Sequence, residues 1–284
     1  MKQGRVLWLF FAISMVCGFV FAEVVWNSGN YTTSGTVDGD LVVVSGDVRV
    51  SGDLTVNGDL KVTAGRVRVC RGNLRVDGDL IVTNDSGDAT VFVEGNLEVT
   101  GAIITKSRTG YAFVRVKVIT PSVGGFLNAG RISTSGLYDA YVVADHDIRV
   151  PGAIVTRSTE GHAPVVCWGD YEPYGDIHAG AISTYAANIP LYGLSFEDDC
   201  SETLDRCSRV FLPPVPSAYG ASVQCNNGHI FVTGPIVTYA EGFSDPNLEG
   251  ACPISYADGF VFAHGNLKAA SITTYGRNNA FVSA

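Results

Sequence analysis

Asp40, Asp59 and Asp79 each sit inside a Gly-Asp-Leu unit, and if those units stack they bring three carboxylates into one column about 4.8 Å apart. Like charges at that spacing repel unless they are screened or bridged, which makes the three a candidate calcium site. Solvated turn residues, or side chains that bond backbone N–H groups, are the simpler reading. The calcium-binding toxin repeat Gly-Gly-x-Gly-x-Asp is absent. Asp145-His146-Asp147 with Arg149 is the densest polar cluster. Paired carboxylates would suit an enzyme acting on acidic polysaccharides, but that chemistry needs two or three acids on one face of a groove. The neighbouring repeats instead place Asn128 and His178 beside Arg149, with Gly175 and Asp176 at the edge. No catalytic residue is assigned. His162, His178, His229 and His264 share no repeat position and no Cys-x-x-Cys pair occurs, so neither a metal nor another cofactor is expected.

The cysteines depend on the first stretch of chain. Lys2 and Arg5 precede an apolar run from Val6 to Val16, and Val20-Phe21-Ala22 offers a cut before Glu23. Residues 1–22 read as a secretory signal peptide, with an uncleaved membrane anchor as the rival. Cleavage would remove Cys17 and leave Cys70, Cys167, Cys200, Cys207, Cys225 and Cys252, an even set in a chain bound for the outside of the cell, or for a periplasm. Cys167 and Cys225 fall at one position of consecutive repeats, and Cys200 and Cys207 share one insertion, so these four and Cys252 are candidate disulfide cysteines. Buried thiols are the alternative, above all for Cys70 and Cys167. The net charge of -9 offers no basic surface to nucleic acid, and once the leader is gone nothing calls for a membrane partner.

The elements that would hold these residues are short. From Gly39 to Val82 run Gly39-Asp-Leu-Val-Val, Gly46-Asp-Val-Arg-Val, Gly52-Asp-Leu-Thr-Val and Gly58-Asp-Leu-Lys-Val, continued by units opening at Gly65, Gly72 and Gly78. The third and fifth positions are apolar and the fourth mostly polar, the period of a strand with one buried face. The gaps are too short for helical crossovers, and hairpins would reverse the pattern. Taking every third unit yields three ladders: Leu or Ile in the first series, Val in the second (Val48 to Val282), and Leu or Ile in the third. That pattern specifies an all-β, single-stranded, three-sided parallel β-helix of about nine coils, on the order of 40 Å long.

Glu23 to Asp38 breaks the rhythm and is expected to cap the first coil. At the other end Ala280-Phe-Val-Ser-Ala284 is a second-series strand with nothing after it. Open strand edges pair with other chains. The expected assembly residues are therefore Trp26 and Tyr31 at one end and Ala280, Phe281 and Val282 at the other; a last strand that frays, or a loop that blocks it, is the alternative. Insertions collect at one corner, the two long ones at 185–220 and 239–258. They carry Phe196, Phe211, Tyr219, Phe243 and Tyr256, candidates for contact with a glycan or a cell-surface protein, or for packing on the rod. The outward side of the first series is small and flat, suited to lateral packing, and its inward fifth position becomes Thr from Thr105 to Thr274, read as a hydroxyl ladder along the corner.

The units from Gly39 to Thr105, Gly-Asp-Leu-x-Val and Gly-Asn-Leu-x-Val at six- or seven-residue spacing, resemble the bactofilin family of polymer-forming bacterial proteins. The resemblance implies a small right-handed three-sided β-helix that assembles end to end into non-polar filaments without nucleotide. This chain departs from the family in its leader and its cysteine-bearing loops, so an exported homopolymer is expected rather than a cytoskeletal one. A monomeric surface adhesin or carbohydrate-binding module, and a polysaccharide-acting enzyme, are the other two readings.

Overall fold

A computed structural model describes residues 23–120, 123–168, 175–189, 220–242, 259–276 and 280–284. It is a three-sided parallel β-solenoid built from a 15-stranded sheet, which covers two sides, and a 10-stranded sheet, which covers the third. The first series forms one side (A), the second series the next (B) and the third series the last (C). Parallel register carries Leu41 onto Leu60, Leu80, Ile103, Ile132, Ile154, Ile182, Ile236 and Ile272 on side A. Side B stacks Val48 to Val282 and side C Leu54 to Leu267 in the same way. Leu60, Leu80, Leu97, Leu127, Ile148 and Ile154 are wholly buried, each contributing about 1.5–3 kcal/mol by leaving water. One aliphatic core therefore runs through the rod.

Glycine opens each unit because the corners stack backbone on backbone. A Cβ at Gly65 would lie 2.7 Å from the carbonyl carbon of Gly46, and one at Gly58 would lie 2.7 Å from that of Gly39. Both are far inside the 3.5–4.0 Å optimum for carbon atoms.

Three features differ from the expectations drawn from sequence. The segment 23–38 covers the Gly39 coil as a further coil in register rather than as a separate cap. Glu23–Trp26 pairs with Asp40–Val43, Tyr31 bridges Val48, and Gly35–Val37 pairs with Leu54–Val56. Its rhythm is hidden because Trp26 and Tyr31 occupy inward positions that later coils fill with Val. Side B is apolar on both faces through the middle of the rod: Phe113, Tyr141, Val143, Val166 and Trp168 point away from the core yet form a second buried cluster, with Phe113 and Tyr141 stacked at 4.6 Å. Strands buried on both faces lose the alternation by which outward residues are recognised. Lastly, the inward threonines stack as expected, Thr105 on Thr134, Thr156, Thr184, Thr238 and Thr274. They do not bond one another. Thr156 Oγ1 donates to the Ala163 carbonyl at 2.8 Å, while the hydroxyls of Thr105, Thr134, Thr184 and Thr238 find no protein partner.

Candidate functional site

The polar corners are structural. Asp40 Oδ1 accepts the N–H of Asp59 at 2.8 Å, Asp59 that of Asp79 at 2.9 Å, and Asp79 that of Ala102 at 2.7 Å. Each carboxylate is held by the backbone of the coil above it, which offsets part of the repulsion between stacked like charges. Lys61 adds an ion pair to Asp59 at 2.8 Å and holds that carboxyl below its usual range. Among the described residues no group of His, Cys, Asp and Glu is arranged to hold a metal.

The other corners use the same device. Asp53, Asn73 and Asn96 pass acceptors up to Asn73, Asn96 and Phe126. Asp147, Asp176 and His229 do so for Asp176, His229 and Asn266. Asp139 and His162 serve His162 and Gly220. Histidine joins this ladder only through a lone pair, so Nδ1 of His162 and of His229 is unprotonated where it accepts. Burial raises the Asp139 carboxyl above its usual range, with the nearby His162 opposing.

The Asp145-His146-Asp147 cluster is divided between two coils. Asp145 accepts the Val118 N–H from the coil below at 3.0 Å, and burial pushes its carboxyl up. Asp147 accepts from Asp176 above and pairs with Arg149 at 2.6 Å. His146 is buried and stacks on Phe126 at 5.2 Å. These carboxylates support backbone rather than a shared substrate groove. Of the three described cysteines, Cys70 is disulfide-bonded, whereas Cys167 and Cys225 stack in register as free buried thiols that donate to the carbonyls of His146 and Gly175. The bridge contemplated between them is not formed. The contact with Cys225 and burial together push the Cys167 thiol well up. Cys200, Cys207 and Cys252 lie outside the described residues, as do Phe196, Phe211, Tyr219, Phe243 and Tyr256.

The two rod ends are where chemistry is left open. At the first coil, Glu23–Trp26, Tyr31 and Gly35–Val37 pair only with the coil above among the described residues. Val24 and Trp26 are half-buried against the core, and Trp26 meets the edge of the buried Tyr31 at 5.8 Å and 89°. At the C-terminal coil, Leu267–Lys268, Ser271–Gly276 and Ala280–Ser283 pair only with the coil below among the described residues. Val282 continues the inward valine column above Val261, which is 0% exposed, yet is itself 48% exposed, no described residue pairing with its other edge. Ile272, Leu267 and Ala269 are likewise only half-buried. Ala280 and Phe281 extend the columns of Gly259 and Phe260. Among the described residues, the strands of both terminal coils each have one edge without a parallel partner, beside an apolar cross-section.

Sequence reasoning missed one outward feature. Tyr185, Tyr239 and Tyr275 stack along side A at 5.1 and 4.6 Å, with the Arg157 guanidinium 5.5 Å from the Tyr185 ring. The signal was present as Thr-Tyr in three successive first-series units.

The fold defines a parallel β-solenoid rod. No protein-family model, curated protein or solved structure matches the chain. Among the described residues no helix is long and apolar enough to cross a membrane.

Proposed function

We propose that this chain is a structural protein of the cell exterior, a β-solenoid that joins end to end with copies of itself into a filament or surface layer. The observation that carries the reading is the exposure of inward apolar residues on coils that pair on one side only among the described residues, above all Val282. The leader-like residues 1–22 support export, and the Gly-Asp-Leu-x-Val units support polymerisation by their resemblance to bactofilins. The polar groups of the described corners are committed to backbone, which favours a scaffold over a catalyst. Electron microscopy of the purified protein tests this against a Phe281→Asp, Val282→Asp variant. Fibres that vanish in the variant are expected; single rods on the order of 45 Å in both samples would overturn the proposal.

The tyrosine stack at the foot of the loop-bearing corner favours a second reading, a monomeric glycan-binding module. Glycan-array binding lost on deleting 190–219 and 243–258, by a protein that stays monomeric, would establish it.

A further inference from the structure

Side A carries a flat, positively charged and tyrosine-lined face, and from it we infer that the rod binds an acidic polysaccharide, a chain bearing carboxylate or sulfate groups, laid along its axis. The inference deepens the glycan-binding reading above and rests on it.

Two independent observations carry it. The first is charge. The face is made by residues 102–106, 131–135, 153–157, 181–185, 235–239 and 271–275, which include no Asp or Glu in a chain whose net charge is -9. Lys106, Arg131 and Arg157 stand on it, all exposed. Arg49, Lys61, Arg75 and Arg149 each hold an aspartate, but none of these three is in an ion pair among the described residues. Lys106 stacks on Ser135 and Ser135 on Arg157, so those two cations lie two coils apart, about 10 Å. Arg131 belongs to the coil between them, about 13 Å across the face from Ser135. Three unpaired cations on a face without acids complement an anionic partner, and such complementarity sets which partner is chosen. Glu160 and Glu241 lie beyond the corner, off the face, where Glu241 accepts the Tyr239 hydroxyl at 3.5 Å.

The second is the way the tyrosines are presented. Tyr185, Tyr239 and Tyr275 continue the column of Lys106 and Arg157 for three more coils. Their rings lie parallel to within 5° and 10°, so neighbouring faces cover one another, and the Arg157 guanidinium lies over the Tyr185 ring. A ligand lying along the column therefore meets ring edges and phenol groups, not the open ring faces on which a neutral sugar stacks. The edge of an aromatic ring is the positive part of its quadrupole, and a phenol donates an O–H, so this half of the column also favours anionic oxygens. From Lys106 to Tyr275 the column spans five coil steps, about 24 Å. The residues beside it are small or flat, Val155 and Val237 being only 36% exposed, and so form no pocket for a protein side chain. Groups repeated at every coil suit a polymer whose own units repeat, which a polysaccharide supplies and a folded acidic protein does not.

Affinity electrophoresis and titration calorimetry on the full chain test it, with polygalacturonate and dextran sulfate as acidic probes, dextran and cellohexaose as neutral ones, and duplex DNA as a polyanion of another class. Binding of an acidic probe is expected, falling at least about tenfold in a Lys106→Ser, Arg131→Ser, Arg157→Ser variant and again on raising salt from about 0.05 to about 0.5 M. Circular dichroism confirms that each variant is folded. Lys268→Ser removes one exposed cation from side C and should leave the affinity unchanged, whereas Arg131→Ser alone should weaken it. Tyr185→Phe, Tyr239→Phe and Tyr275→Phe together keep the rings and every charge, so a further loss in that variant reads the phenol donors apart from general attraction. Binding of the neutral probes alone overturns the acidic ligand and leaves the glycan reading standing; binding of no carbohydrate overturns both. An acidic probe held as tightly by the triple charge variant as by the parent overturns the assignment to side A. Duplex DNA bound as tightly as the acidic glycans overturns the choice of carbohydrate.

Discussion

Replacing Thr134 by valine is expected to stabilise the rod. The residue is 1% exposed, and its Oγ1 has no hydrogen-bond partner in the protein. Valine keeps the volume and the β-branched shape, and it replaces a hydroxyl stripped of water by a methyl group suited to that space. A buried hydroxyl without a partner costs about 1–3 kcal/mol, so the substitution should recover a good part of that. The next threonine up the column supplies the control. Thr156 is equally buried and stacks directly on Thr134, but its hydroxyl donates to Ala163 at 2.8 Å. Thr156→Val should therefore lose about 1 kcal/mol, leaving a buried carbonyl short of a donor. Strand propensity and methyl burial change alike in both, so the opposite signs isolate the hydrogen bond. Urea unfolding followed by far-ultraviolet circular dichroism measures each, and in thermal melts about 1 kcal/mol corresponds to roughly 2–4 °C for 150–250 residues. Equal destabilisation by Thr134→Val and Thr156→Val would refute the reasoning, since it would mean that the Thr134 hydroxyl is bonded after all, for instance to water held in the corner.

Gly65→Ala should destabilise by about 3 kcal/mol or more, because the new Cβ meets rigid backbone of Gly46; Gly87→Ala, which meets only the movable Asn84 side chain at 3.1 Å, should cost far less in the same melts. Asp79→Ala removes the acceptor for Ala102 N–H and should cost about 1 kcal/mol, Asp79→Asn should restore most of it, and calcium should leave the melting temperature of the parent unchanged. Asp139 has its carboxyl raised from 3.8 by burial, so between 3.8 and the raised value the folded chain binds more protons than the unfolded one and stability falls as pH rises. Asp139→Asn keeps an acceptor for the His162 N–H and should gain stability over the parent above that window, the gap closing below pH 3.8.

The sequence by itself determined the solenoid. Its period of two, its glycines and its three distinct aliphatic columns are local signals repeated coil after coil, and repetition lets residues far apart in the chain be aligned without knowing the fold. The same signals placed Val282 in the inward valine column. Tertiary structure alone decided what the repeats do not encode. That Glu23–Asp38 is a coil depends on pairing with Asp40–Val43, Val48 and Leu54–Val56 rather than on its own pattern. That Asp40, Asp59 and Asp79 each hold the backbone of the next coil depends on which N–H each carboxylate meets across a full turn. That Thr156 finds a carbonyl while Thr134 finds none depends on where Ala163 passes the corner. A residue type announces what it can bond, but partners a coil away are set by the path of the chain around the rod, and that path exists only once the coils have stacked.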